Sequence, residues 1–279
     1  MSADPRGVLA RADLAAGDLQ GIVRASAYAD VVRYGVARPR AAQRAAPDDG
    51  AEQINQLLFG EIFEALEVDG AYAWGRARRD GYVGWVATAS LTRTIAPPTH
   101  RVAVLRTPAF ATPAIKSPVW GLLSLNALIT VSETYGEMAL AAQAGWVPIR
   151  HLAPIGKGFV DPASAAELFL GAPYVWGGRD SLGLDCSGLV QQALFAAGLA
   201  CPRDADQQAA LGTAVDPGAL GRNDLVFWRG HVGMMLDAER LIHSNAHQMA
   251  VAVEPLADAV ERIAAAGVGR PSAYRRLAF

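Results

Sequence analysis

One stretch, residues 173–198, constrains this chain more than any other, because it forces a tight loop to run directly into a helix. It reads Pro-Tyr-Val-Trp-Gly-Gly-Arg-Asp-Ser-Leu-Gly-Leu-Asp-Cys-Ser-Gly and continues Leu-Val-Gln-Gln-Ala-Leu-Phe-Ala-Ala-Gly. Gly177, Gly178 and Gly183 open backbone angles that a Cβ disfavours. Leu189, Val190, Ala193, Leu194 and Ala197 recur at helical spacing, and Gly198 stands where a C-terminal cap belongs. Cys186 falls at the helix N-terminus, where unpaired N–H groups and the dipole favour a thiolate. An isolated cysteine is most often core filler. This one is a candidate nucleophile because the chain also supplies imidazoles, His231 and His243, on an expected hairpin.

The spacing of twelve between His231 and His243 is informative. Side chains alternate along a strand, so His231, Gly233 and Met235 share one face, as do Leu241, His243 and Asn245. Pairing Gly233 with His243 puts the two sets on one side and leaves room for the ring. The histidines are then diagonal neighbours, about 5–8 Å between Cβ atoms. In that geometry His231 takes the thiol proton, or holds the thiolate as an ion pair, and later protonates a leaving amine. His243 bonds the far nitrogen of His231 and orients it, as a carboxylate does in a serine triad. His247 is the rival to His243, with the same parity but past the expected strand end.

Six motifs carry a resemblance. Tyr174-Val175-Trp176-Gly177-Gly178, Leu184-Asp185-Cys186-Ser187-Gly188, Pro202-Arg203-Asp204, Asp224-Leu225-Val226-Phe227-Trp228, His231-Val232-Gly233 and Ile242-His243 resemble the NlpC family of cysteine peptidases, in the family's order. The likeness covers residues 163–277. It implies a papain-like α+β fold that hydrolyses peptidoglycan stem peptides, usually between γ-D-glutamate and a diamino acid. Cys186, His231 and His243 match the family's catalytic set, and the Cys186 N–H is a natural oxyanion donor. Tyr174, Trp176, Asp185, Ser187, Arg203 and Asp204 match positions lining its substrate cleft. For Arg203 and Asp204 an ion pair at a helix start is the competing role. Ala205 departs from the pattern, since related enzymes can carry serine there.

The first half reads as short strands separated by turns. Leu57-Leu58 and Gly84-Trp85-Val86 recur as Leu122-Leu123 and Gly145-Trp146-Val147, at spacings of 27 and 23, with Leu91 and Leu152 following. These segments resemble bacterial SH3-like domains. The expected organisation is multidomain: two small all-β SH3-like barrels followed by an α+β papain-like cysteine peptidase domain. Its parts are an N-terminal segment at 1–20, barrels at 21–95 and 100–153, and the peptidase domain at 160–279. Residues 1–20 are expected to pack loosely, Ile22-Val23 to start a strand, and 36–50 to form a loop. Trp85 and Trp146 are expected in the cores. The SH3-like resemblance also implies that the first barrel helps shape the cleft. On that basis Glu61 is nominated as partner of a substrate ammonium and Tyr82 as its support, against the plainer role of a solvated strand carboxylate.

Composition excludes several classes. A net charge of −2 leaves no footprint for nucleic acid. No run of 18 apolar residues predicts a membrane span. Two cysteines make no disulfide framework, and Cys201 reads as a small buried residue. No histidine spacing matches a zinc motif, so neither metal nor cofactor is expected. The N-terminus lacks a basic region followed by an apolar stretch, which points to the cytoplasm. The expectation is a monomeric cytoplasmic enzyme that cuts free muropeptides such as L-Ala-γ-D-Glu-diamino acid during cell-wall recycling. The competing functions are an amidase or acyltransferase on the same core, and a wall-binding protein with a vestigial peptidase.

Overall fold

The computed structural model describes residues 4–94, 96–159 and 161–278. The expected domain limits at residues 1, 95, 160 and 279 lie outside the described residues. The chain divides into two units, Met1–Ile155 and Gly156–Phe279.

In the first unit, β1 (Leu14–Ala16) and β2 (Ala27–Ala29) pair in parallel. From Leu9 onward the N-terminal segment is not loose. Leu9 and Ala16 are buried with Leu66 and Trp74, and the Arg11 guanidinium lies 4.2 Å from the Trp74 ring centroid. Alanine-rich sequence hid this packing, because small side chains give little hydrophobic signal. Ile22, expected in a strand, sits in a turn and is 76% exposed.

The first barrel region contains β3 (Val32–Val36), β4 (Arg40–Arg44), β5 (Gln53–Leu58), β6 (Ile62–Asp69), β7 (Tyr72–Ala77), β8 (Val83–Ala87) and β9 (Leu91–Thr92). Among the described residues they form one sheet in the order β5-β4-β8-β7-β6-β3-β9. Val36, Ala41, Leu57, Phe63 and Val86 fill its core. Strand β4 lies where a loop was expected. Its inward positions are Ala41 and Gln43, a period-two pattern too weakly apolar to register.

The rest of the unit contains β10 (His100–Val102), β11 (Arg106–Phe110), β12 (Val119–Ser124), β13 (Leu128–Ile129), β14 (Val131–Tyr135), β15 (Met138–Ala141), β16 (Gly145–Pro148) and β17 (Leu152–Pro154). Their core joins Val102, Leu123, Ile129 and Val147 to Leu58 and Phe59 of the preceding barrel. The two β regions therefore share apolar packing within one unit. The repeated Gly-Trp-Val marks equivalent strands, β8 against β4 and β16 against β11. A Cβ on Gly145 would lie 2.3 Å from the Phe110 carbonyl oxygen, so the close strand approach demands glycine. Trp85 and Trp146 are partly buried.

The second unit contains α1 (Pro162–Glu167), β18 (Arg179–Asp180), β19 (Gly183–Leu184), α2 (Cys186–Ala196), α3 (Ala205–Gln208), β20 (Thr213–Ala214), β21 (Leu225–Trp228), β22 (His231–Met235), β23 (Arg240–Asn245), β24 (Ala250–Pro255), α4 (Leu256–Ala265) and β25 (Ala273–Arg276). The main sheet runs β20-β25-β21-β22-β23-β24. Helix α2 is buried along its whole length and packs against α1, β22 and β23. That explains its lack of a polar face. Helix α4 is amphipathic and lays Ala259 and Ile263 over Val226, Met235 and Leu241. Helix α2 and strand β22 together position the candidate site.

Candidate active site

Asp185 is the N-cap of α2, and its carboxylate ties the loop to the helix. It accepts from the Gly188 N–H at 2.7 Å and the Gly177 N–H at 2.9 Å. Gly177 takes φ +70°, and a Cβ on Gly188 would lie 2.3 Å from the Gly178 carbonyl oxygen. The glycines predicted to shape this loop therefore let it press against the first helical turn. Arg203 grips the same carboxylate with Nη1 at 3.0 Å and Nη2 at 2.5 Å, and Arg203 Nη1 donates to Ser187 Oγ at 2.7 Å. Ser187 Oγ donates to Asp185 Oδ1 at 3.2 Å. Asp185, Ser187 and Arg203, nominated as cleft-lining, are all buried and bond one another. Asp204 instead forms a capping box with Gln207 at the start of α3. Trp176 is 59% exposed.

Cys186 opens α2 and is buried, and the Val232 backbone N–H favours its thiolate. Val232 follows His231 on β22, so the strand that carries the imidazole packs against the helix that Cys186 opens. Strands β22 and β23 pair Met234 with Ile242 and Met235 with Leu241. Continued by one step, that register sets Gly233 opposite His243, as the parity argument required. The rings meet: His231 Nε2 lies 2.8 Å from His243 Nδ1. His247 is exposed beyond the end of β23. The room left by Gly233 serves a different side chain from the one expected, since a Cβ there would meet Leu241 Cδ1 at 2.7 Å.

Residues 171–266 match the model of the NlpC/P60 family. They are an NlpC/P60 domain. Residues 44–91 match the bacterial dipeptidyl-peptidase Sh3 domain. A "Gamma-D-glutamyl-L-lysine dipeptidyl-peptidase" of Bacillus cereus is 35% identical over 104 residues, 34% of this chain and 31% of that protein. The protein of the same name from Bacillus subtilis is 28% identical over 214 residues, 68% of this chain and 71% of that one. The match thus spans under a third of the first relative and over two thirds of the second. The crystal structure of an NlpC/P60 family protein from Bacillus cereus superposes with a TM-score of 0.72, covering 88% of this chain and 99% of that one. At 19% identity it attests the fold. The NlpC/P60 domain marks the chain as a peptidase, cysteine type in this family. Among the described residues no helix is long and apolar enough to cross a membrane.

Within the NlpC/P60 domain, electrostatics depart from the expected thiolate. Burial pushes the Cys186 thiol up to about 12, and the neighbouring Asp185 carboxylate adds to it. The Val232 N–H, Arg203 and the Ser187 N–H pull the other way and do not offset the burial. Burial also lowers His231 to about 3, with His243 and Arg262 contributing. His243 falls to about 4, through burial and then Arg262. The resting pair is a neutral thiol and a neutral imidazole, because desolvation opposes both charges. Tyr174 is pushed up to about 12 by burial, then by Cys186 and Asp185. Cys201 is buried, its thiol 3.5 Å from the Pro202 carbonyl oxygen. Neither cysteine is in a disulfide.

Sequence reasoning missed Glu254. Its Oε1 lies 2.7 Å from His243 Nε2 and also accepts from Arg262 Nη2. Pairing of His243 with Ala252 makes Glu254 a diagonal neighbour of His243 on the same face. The signal was present in the segment Val251-Ala252-Val253-Glu254, once a third strand was laid beside the hairpin.

Glu61 and Tyr82 belong to the first unit. Glu61 follows β5 and is 1% exposed; it accepts from Arg79 Nη1 at 2.8 Å and from the Leu58 N–H at 3.1 Å. It is not a solvated strand carboxylate, and it already faces a cation. A substrate ammonium would have to share the carboxylate with Arg79. Tyr82 is buried.

Proposed function

We propose that this protein hydrolyses the bond between γ-D-glutamate and a diamino acid in peptidoglycan stem peptides, with Cys186 as nucleophile. The observation that carries this is the 2.8 Å contact between His231 Nε2 and His243 Nδ1, on the strand that packs against the helix opened by Cys186. A vestigial domain has no need to keep that relay. With Nε2 engaged, Nδ1 is the His231 nitrogen left for chemistry. It takes the thiol proton as sulfur attacks the γ-carbonyl carbon. Both groups start neutral, so proton transfer accompanies attack. The developing oxyanion is stabilised by N–H groups at the α2 N-terminus. Collapse breaks the C–N bond, the amine of the diamino acid leaves with the proton from His231, and a thioester remains. Water then attacks the thioester, with His231 as base, and frees the γ-carboxylate and the thiol.

Free peptides are the favoured substrates. The relatives are called dipeptidyl-peptidases, and an enzyme that counts two residues from an amino terminus requires that terminus to be free. A role in recycling wall peptides inside the cell follows from that choice. The test is mass spectrometry of products from L-Ala-γ-D-Glu-L-Lys, its N-acetylated form and intact sacculi. Release of L-Ala-D-Glu and free lysine from the unblocked tripeptide is expected. Equal cleavage of the acetylated form contradicts the free-amine requirement. Cleavage confined to sacculi contradicts the recycling role. Transfer to an added amine in place of water would mark an acyltransferase.

A further inference from the structure

We propose that Glu254 is a positioning residue that sets the protons on the His243–His231 pair and so leaves His231 Nδ1 free as the base. The proposal deepens, and rests on, the reading of Cys186, His231 and His243 as the catalytic set. An ionised carboxylate only accepts hydrogen bonds. The ring nitrogen facing it is His243 Nε2, at 2.7 Å, so that nitrogen carries the proton. Neutral His243 then presents a lone pair at Nδ1. His231 Nε2, 2.8 Å away, must donate to it. Neutral His231 has one proton, now spent on Nε2, and its Nδ1 is the acceptor that a thiol needs. The reverse arrangement would set the lone pair of His243 Nε2 against the Glu254 oxygen and put a proton on His231 Nδ1. The base would then be lost.

Arg262 completes the device. It pairs with the same Glu254 oxygen and offsets the carboxylate's charge. An unpaired carboxylate would favour imidazolium at His243. An imidazolium would donate from both nitrogens and push the proton of His231 onto Nδ1. The fold supplies both parts by short-range means. Glu254 is diagonal to His243 across β23 and β24, and α4 begins two residues later and returns Arg262 to it. The competing role for Glu254 is a plain ion pair that pins α4 to the sheet. That role makes no statement about imidazole tautomers.

The experiment is long-range proton–nitrogen NMR on the full chain carrying labelled histidine. Substitution of His231 and His243 in turn assigns the rings among the five histidines of the chain. Wild type should show both rings protonated at Nε2 and bare at Nδ1. In Glu254→Leu the His231 Nδ1–H form should appear, with kcat about 10- to 100-fold lower and KM unchanged. Glu254→Gln, whose amide oxygen can accept from both His243 and Arg262, should restore most of that loss. Wild-type His231 protonated at Nδ1 overturns the proposal. So does a folded Glu254→Leu with unaltered tautomers and kcat. Should Glu254→Leu fail to fold, the wild-type tautomers and Glu254→Gln still decide. Retained activity in Cys186→Ala would instead overturn the catalytic set, and it leaves the tautomer measurement untouched.

Discussion

Asp185–Arg203 and Glu254–Arg262 are carboxylate–arginine pairs that flank the reactive groups, and they do different jobs. Asp185 ends on backbone N–H groups, those of Gly177 and Gly188, and its arginine is 1% exposed. Glu254 ends on an imidazole, and its arginine is 27% exposed. The first pair holds a loop against a helix start, so removing it releases backbone. The second touches only side chains, so removing it changes where a proton sits. A buried ion pair next to a nucleophile is thus no guide to its role until its remaining hydrogen bonds are followed.

The largest expected effect is on the first pair. Arg203→Met leaves Asp185 buried beside Cys186 without its cation, at a cost of about 3–5 kcal/mol read from urea unfolding. A loss below about 1 kcal/mol would put Asp185–Arg203 in the class of surface pairs. For the second pair the order of effects reverses. Glu254→Leu should cost no more than about 1 kcal/mol, while kcat falls as described above. If it destabilises the fold as much as Arg203→Met does, the contrast fails.

Acid titration sharpens the comparison. His231 and His243 are held neutral, at about 3 and about 4, against an ordinary 6.5. The unfolded chain therefore binds protons first as pH falls below 6.5, and their contribution to stability is lost between 6.5 and about 3. Burial and then Arg262 still hold His231 down once His243 is gone, so His243→Gln should flatten this slope without abolishing it. Asp161 and Asp237, held at about 2 by their hydrogen bonds, give way in a lower window, below 3.8. A stability curve flat from pH 7 to 4 would contradict the buried neutral pair. The smallest effect belongs to Cys201→Ala, for which kcat/KM should stay within about two-fold of wild type, since a buried cysteine of this kind acts as a small hydrophobe.

What could be read in advance was chemistry carried by short segments. The loop, the helix and Cys186 form one stretch, and the parity of His231 and His243 needs only two strands. Glu254 required a third strand and the following helix. Arg203 was noticed, but its partner stands 18 residues back at Asp185, and sequence offered no way to choose between that and substrate. The thiolate expected at Cys186 failed for a related reason. A helix N-terminus is visible in sequence, whereas the burial that outweighs it is a property of the assembled domain. Strand β4 and the packed N-terminal segment were missed because alanine fills strands and cores without announcing either.

In the proposed reaction Cys186 carries the acyl group during turnover. Mixing the enzyme with L-Ala-γ-D-Glu-L-Lys, quenching in acid and measuring intact and peptide masses detects that intermediate. An L-Ala-D-Glu acyl adduct is expected on the Cys186 peptide, accumulating as lysine is released and absent from Cys186→Ala. Lysine release that persists in Cys186→Ala, or an adduct on Cys201, would contradict it.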